Sequence, residues 1–404
     1  MAQTAIAEDN VQSPTVLYVA LELSKDTWKL GMSPSRLQKP RIRDVAARDV
    51  DGLLHEIEKA KQRFGLPETA PVQTCYEAGR DGFWIHRALV DHGVENLVID
   101  SASIEVDRRK RRAKTDRIDA QKLVQLLARH GDGEPGVLRV VRVPPIDAED
   151  ERLLPRQLKT LKKHRTQVSN RIIARLFEFG IVLSPRSGSF KGEDFLRSLE
   201  AARQSNGEPL PERRREMILM DWELFSTLTR QLKRLELQQR QLLREARKAP
   251  EAATVAVRKA AILSQLWGVG EVGGFILSTE FFGWRHFDNR SQVGAAAGLT
   301  GTPFLSGSGG REQGISKSGN PRVRTVMVEL AWLWLRWQPG SRTTRWYRDR
   351  VGQGGSLAKR KAIVAVARKL LVELWHFVEH GVVPEGAILK PDASIDLNDE
   401  RVPA

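Results

Sequence analysis

The chain has 404 residues, 41% of them hydrophobic, with 65 Lys and Arg against 50 Asp and Glu and a formal net charge of +15. That is enough apolar material for two or three domain cores, and the cationic excess favours a polyanion, nucleic acid first, over a ribosomal-type or architectural role that composition alone leaves open. A single cysteine, Cys75, excludes a disulfide framework, and no Cys/His spacing matches a zinc site.

The N-terminal stretch 1-MAQTAIAEDNVQSP-14 is polar and acidic, and no apolar run reaches the length of a bilayer span. The expectation is a cytoplasmic protein without signal peptide, anchor or membrane partner. In chain order, 16-VLYVALEL-23, 28-WKLGMS-33 and 41-RIRDVAA-47 read as strands of a meander. A helix follows over 50–65, then a strand at 72-VQTCYEA-78, a helix at 83-FWIHRALVDHG-93, a strand at 94-VENLVID-100 and a helix from 114-KTDRIDAQKL-123. The order βββαβαβ followed by a helix is the pattern of an α/β RNase H-like (Holliday-resolvase-like) domain, placed at 14–135.

A Val- and Pro-rich linker, 136-GVLRVVRVPPIDAED-150, leads into two long helices. Leu154, Leu158, Leu161, Val168 and Ile172 follow a 4-3 spacing with Arg165 in the seam; Phe225, Leu228, Leu232, Leu235 and Leu242 do the same with Gln239. Joined by a polar stretch near 184–212, they predict a coiled-coil hairpin within 136–250, packed on itself or serving dimerisation. A third, mainly α unit at 251–383 holds 266-LWGVGEVGGFILSTE-280 and 298-GLTGTPFLSGSGGREQGISKSGNPRVR-324, then helices rich in Trp and Leu. The tail 384–404 is polar and aperiodic, and is expected to be disordered.

Four carboxylates stand out. Glu22 lies among apolar strand residues, where an acid needs a partner or a metal. Glu77 repeats this at the end of the fourth strand, which in such sheets commonly neighbours the first. Asp116 and Asp119, three apart on a helix, project from one face. Alone they would be read as N-terminal caps pairing with Lys114, Arg117 or Lys122; with Glu22 and Glu77 they form a quartet whose mutual repulsion Mg²⁺ or Mn²⁺ would relieve. The preceding cations Arg108, Arg109, Lys110, Arg111, Arg112 and Lys114 would hold a phosphate backbone beside it. The turn at Gly268 and Gly270 looks like a helix-hairpin-helix, whose backbone N–H groups can contact a phosphate.

From about Val16 to Trp375 the chain resembles the DEDD-type insertion-sequence transposases of the IS-one-ten family, which are bridge-RNA-guided recombinases. The likeness rests on 19-VALELSKDTW-28, 75-CYEAG-79, 114-KTDRIDAQKL-123, 266-LWGVGEVGG-274 and 298-GLTGTPFLSGSGGREQGISKSGNPRVR-324. By position, Glu22, Glu77, Asp116 and Asp119 match the family's acidic quartet, although its usual first acid is Asp. The proline of 298-GLTGTP-303 also falls later than in the common form.

Composition makes the 306-SGSGG-310 stretch a linker. The resemblance singles out Ser306, over Ser308, Ser316 and Ser318, as the nucleophile, with Arg311, Lys317, Arg322 and Arg324 near it in sequence to stabilise developing charge. It implies cleavage and rejoining of donor and target DNA through a phosphoserine link, a guide RNA, and composite sites in a homodimer or homotetramer. Two alternatives stay open: a metal-dependent structure-specific nuclease, and an inactive nucleic-acid-binding protein.

Overall fold

The computed structural model describes residues 16–101, 104, 116–182, 192–306, 309–352 and 354–391, with backbone alone for 303–306 and 309–313. Contacts gather the chain into two compact units, Met1–Val143 and Pro144–Ala404.

In the first unit β1 (Leu17–Glu22), β2 (Thr27–Ser33) and β3 (Arg41–Ala46) form an antiparallel meander. After α1 (Val50–Phe64), β4 (Val72–Glu77) adds parallel to β1; after α2 (Trp84–Asp91), β5 (Glu95–Ile99) adds parallel to β4. The sheet order is β3-β2-β1-β4-β5. Helix α1 starts where the Asp49 carboxylate accepts from the Gly52 N–H at 2.8 Å and stops at Gly65 in the left-handed region.

Alternation along β1 divides the core in two. Leu17, Val19 and Leu21 pack with Leu53 and Ile57 of α1 and Ile85 and Leu89 of α2. Tyr18 and Ala20, with Cys75 and Ile99, pack under Leu123, Val124, Leu127 and Ala128 of α3 (Asp116–Gly131). Burying each of the three larger α3 side chains contributes about 1.5–3 kcal/mol. Burial also pushes the Cys75 thiol far above its ordinary pKa, which leaves it an inert core group. The Val-rich segment read as a linker is joined to the sheet: Val140 bridges Ile99, and the Val141 N–H donates to Val98 O at 2.7 Å.

In the second unit the short α4 (Ile146–Glu151) leads into α5 (Leu153–Phe177), which packs along α7 (Glu212–Lys248) within the chain. Leu158, Leu161, Val168 and Ile172 meet Ile218, Trp222, Leu228 and Leu232, and Asp221 is ion-paired to both Arg171 and Arg175. The polar connection expected near 184–212 contains a helix, α6 (Gly192–Ala201), whose Phe195 and Leu199 close the end of the hairpin; Phe195 stacks on Trp222 at 4.0 Å.

Then come α8 (Val255–Leu263), α9 (Glu271–Leu277), α10 (Arg290–Ala296), the antiparallel strands β6 (Gly301–Ser306) and β7 (Gly309–Ile315), and α11 (Pro321–Trp337), α12 (Arg342–Val351) and α13 (Ser356–His380). The core of this part runs from Leu263 to Val378 through Phe281, Leu330 and Leu370.

Two expectations change. The glycine-rich 306–310 segment is no loose linker, because its ends are paired strands with Ser306 opposite Gly309. The tail is docked as far as it is described: Leu389 bridges Leu266, and Gln338 exchanges hydrogen bonds with the Ile388 backbone at 2.8 Å and 2.7 Å. Residues 392–404 lie outside the described residues.

A Cβ at Gly31 would stand 2.6 Å from the Ala120 carbonyl oxygen, so α3 touches the sheet backbone there. Gly31→Ala is expected to lower stability by about 1–3 kcal/mol through overpacking, read as a lower urea midpoint.

Candidate functional site

Glu22 and Glu77 end their strands one position beyond the parallel pair Leu21↔Tyr76. Both belong to the alternation set of Ala20 and Cys75, the face that α3 covers. Ala120 lies on Gly31, the register partner of Ala20, and Gly131 lies on Tyr18. Helix α3 therefore runs antiparallel to β1, with its first turn, Asp116 and Asp119, toward the end of the strand that carries Glu22.

Asp116 and Glu77 are exposed, and Asp119 and Glu22 half-buried. The four sites sequence reasoning proposed thus share one face and one end of the sheet. Among the described residues they do not close into a group of three or more side chains able to hold a metal. An all-carboxylate set supplies the oxygen donors that a hard divalent ion takes. Across the sheet from Glu22 stands Lys29, which is ion-paired with Asp44. Arg108, Arg109, Lys110, Arg111, Arg112 and Lys114 lie outside the described residues.

In the second unit the 268-GVG-270 turn joins α8 to α9, with Val269 buried and Gly270 exposed. Gly268, at φ +84°, packs its Cα against the Leu333 and Trp334 backbone. The tail supports the turn, since Lys390 Nζ donates to Ser264 O and Val269 O.

Ser306 and Arg311 belong to the hairpin, at the end of β6 and within β7. The base of the hairpin is fixed by backbone bonds: Ser316 N–H to Thr300 O at 2.8 Å, Lys317 N–H to Gly298 O at 3.3 Å and Asn320 N–H to Ala296 O at 2.9 Å. Gly319, at φ +112°, lies so close to the Ala296 carbonyl that a side chain would collide with it. Arg324 Nη1 donates to Lys317 O at 3.0 Å and Ala297 O at 3.4 Å, which makes it a brace for this base.

Arg322 points to a residue that the sequence reading passed over. Its Nε is 3.7 Å from Glu280 Oε1. Glu280 is 1% exposed, in a π-helical turn over Ser278–Phe282, and its carboxylate accepts from Arg156 Nε at 2.7 Å, Arg156 Nη2 at 2.9 Å and Asn320 Nδ2 at 3.2 Å. Burial alone would raise its pKa, but the Arg156 hydrogen bonds and charge, with Asn320 and Arg322, outweigh burial and hold the carboxyl below its usual range. The same bond raises Arg156. Asn320 also caps α11 by accepting from the Arg322 N–H at 2.9 Å. The signal was legible: 276-ILSTEFFG-283 sets one acid in an apolar run, as 19-VALEL-23 does.

Comparison with known proteins places this arrangement. A family profile described as "Transposase IS116/IS110/IS902 family" matches residues 260–346. A protein named "Putative transposase y4rJ", of Sinorhizobium fredii, is 40% identical over 397 residues, covering 95% of this chain and 99% of the relative. The chain belongs to the IS116/IS110/IS902 transposase family. "Putative transposase y4qE" of the same organism is 27% identical, over 75% of this chain and 74% of its own. The profile segment contains the glycine turn, Glu280 and the Ser306 hairpin, so the part of the transposase it matches is the part that Glu280 organises. No helix among the described residues is long and apolar enough to cross a membrane.

Glu280 titrates below its unfolded value, so its stabilisation is complete above about pH 4.3 and is lost as pH falls through the lower folded value. Glu280→Gln is expected to cost about 1.5–3 kcal/mol at neutral pH, the worth of hydrogen bonds to a charged group, since the partly exposed Arg156 can rehydrate. Denaturant titrations should show the gap between the two proteins closing as pH falls below about 4.

Proposed function

We propose that this transposase cuts and rejoins DNA using two chemical centres, the acidic quartet of an RNase H-like first unit and Ser306 of the second. The observation that carries the reading is the convergence of Glu22, Glu77, Asp116 and Asp119 on one face and one end of the 3-2-1-4-5 sheet, although the four are dispersed over almost a hundred positions. Mixed sheets of this order, with a helix laid over the ends of the two central parallel strands, support the RNase H-like assignment.

The four carboxylates would hold Mg²⁺ or Mn²⁺. Such an ion, when bound, neutralises phosphate charge and stabilises attacking and leaving oxygens. Glu22 is longer by one methylene than the Asp usual in the family, and it ends a buried strand that fixes its backbone. The serine step balances without a cofactor: Ser306 Oγ attacks phosphorus and loses its proton, the phosphodiester P–O bond breaks, and the departing deoxyribose oxygen takes a proton. The phosphoserine ester conserves the bond energy, so reversal by an incoming strand end reseals DNA without ATP.

Lys317 and Arg311 are the cations of this segment suited to a phosphate, while Arg322 faces Glu280 and Arg324 holds the hairpin base in register. Target choice in this reading comes from a guide RNA that pairs with donor and target DNA, the protein contributing backbone contacts. The active assembly is a homodimer or homotetramer.

The purified chain, incubated with guide RNA, Mg²⁺ and end-labelled donor and target DNA, is expected to give a denaturant-resistant protein–DNA adduct. Ser306→Ala should reduce it to background, as should chelation of the metal, and Asp116→Asn by at least about a hundredfold. Cleavage without an adduct would assign hydrolysis to the carboxylates instead.

A further inference from the structure

A cleft of about 560 Å³ lies between α10, α12 and α13 of the second unit. Cations line it from two elements, Arg290 from the first turn of α10 and Arg368 and Lys369 from α13. Trp346 of α12 and Val372 of α13 supply apolar wall.

One side of the rim is internally compensated. Thr343 Oγ1 donates to Glu373 Oε1 at 2.7 Å, and Arg342 lies 3.6 Å from Glu373 and 3.5 Å from Glu385. The other side is not: among the described residues no ion pair holds Arg290, Arg368 or Lys369. Lys369 Nζ instead stands 4.7 Å from the centroid of the Trp346 ring.

The chemistry of this lining is selective. Unpaired guanidinium and ammonium groups suit a phosphate, but phosphate alone makes no use of an indole and an aliphatic wall set in a concave surface. A duplex backbone offers phosphates yet keeps its bases stacked, and placing one in a cavity requires unstacking. A strand with an unpaired nucleotide offers both parts together, and the cleft volume is within the roughly 300–1,000 Å³ common for small-ligand sites.

The cleft also abuts the hairpin. The position a Cβ would take on Gly294 is 3.3 Å from Arg368 Nε and 3.4 Å from Thr300 Cγ2. Thr300 immediately precedes β6 and accepts the Ser316 N–H that closes the hairpin base.

We propose that this cleft holds an unpaired nucleotide of a single-stranded stretch, its phosphate on Arg290 and Arg368 and its base against Trp346 and Val372. The inference rests on the strand-exchange reading, in which strands are opened, and it gives the second unit a grip on such a strand beside the hairpin that bears Ser306.

The test uses the full chain and no cleavage step. A short oligothymidylate containing one iodouracil is photo-crosslinked to the protein, and the adduct is located by mass spectrometry. Oligouridylate, a duplex of the same length and an oligothymidylate with an abasic site are run beside it. The crosslink is expected at Trp346 or within the α12–α13 peptides, weakened by the abasic site; the better of the two single strands identifies DNA or RNA as the source.

The double substitution Arg290→Gln, Arg368→Gln should weaken single-strand binding about tenfold and lower the salt slope by about 0.7 for each phosphate no longer neutralised, with duplex binding nearly unchanged. Crosslinks confined to other surfaces, or single-strand and duplex affinities that fall in parallel, would overturn the proposal. An intact crosslink with no Ser306 adduct counts against the serine chemistry alone, and an intact adduct without the crosslink counts against the cleft alone.

Discussion

Burying the carboxylate of Glu280 obliges three separate elements to meet. At 1% exposure the charge is tolerated because the fork of Arg156 from α5, the amide of Asn320 at the start of α11 and the guanidinium of Arg322 all face it. Each of those partners fixes something else. Arg156 joins the long helical hairpin to the C-terminal core, and Asn320 both caps α11 and closes the 296–320 crossing on which β6 and β7 stand. The hairpin that carries Ser306 is thus anchored through a chain of polar contacts that ends on one buried acid.

The first unit depends on a different constraint, the absence of a side chain at Gly31. Because that position is bare, α3 lies on the sheet backbone at Ala120, and its apolar stripe of Leu123, Val124 and Leu127 fills the face left by Tyr18 and Ala20. The helix direction follows from the same packing. Its first turn falls toward the ends of β1 and β4, and two aspartates that could have served only as local caps stand on the face of Glu22 and Glu77.

Much of this was legible in the residues. Strand alternation and turn signals marked β1 to β5 almost to the residue, and the 4-3 spacing of Leu158, Leu161, Val168 and Ile172 marked the hairpin that α5 makes with α7. The readings that shifted were made where local composition misleads. The segment around 184–212 looked like a connection because the two buried side chains of α6 are set among polar residues. The 306–310 glycines looked like a linker, although a short Gly-rich stretch of five residues between 302-TPFL-305 and 311-REQGI-315 is equally a hairpin signal. The tail looked free because nothing in its own sequence shows that Gln338 and Lys390 tie it to the glycine turn.

The sequence by itself determined the cationic character, the element order of the first unit and the four acids worth attention, because these are properties of residue type and spacing along the chain; Ser306 was singled out by the resemblance alone. Tertiary structure decided which of them share a face, that Arg324 braces the hairpin base, and that Glu280 is a buried charge faced by Arg156, Asn320 and Arg322. It also decided that Arg290, Arg368, Lys369 and Trp346 line one cleft. Such partnerships join residues tens to more than a hundred positions apart. Burial and ion pairing depend on distances through space, which local periodicity does not encode.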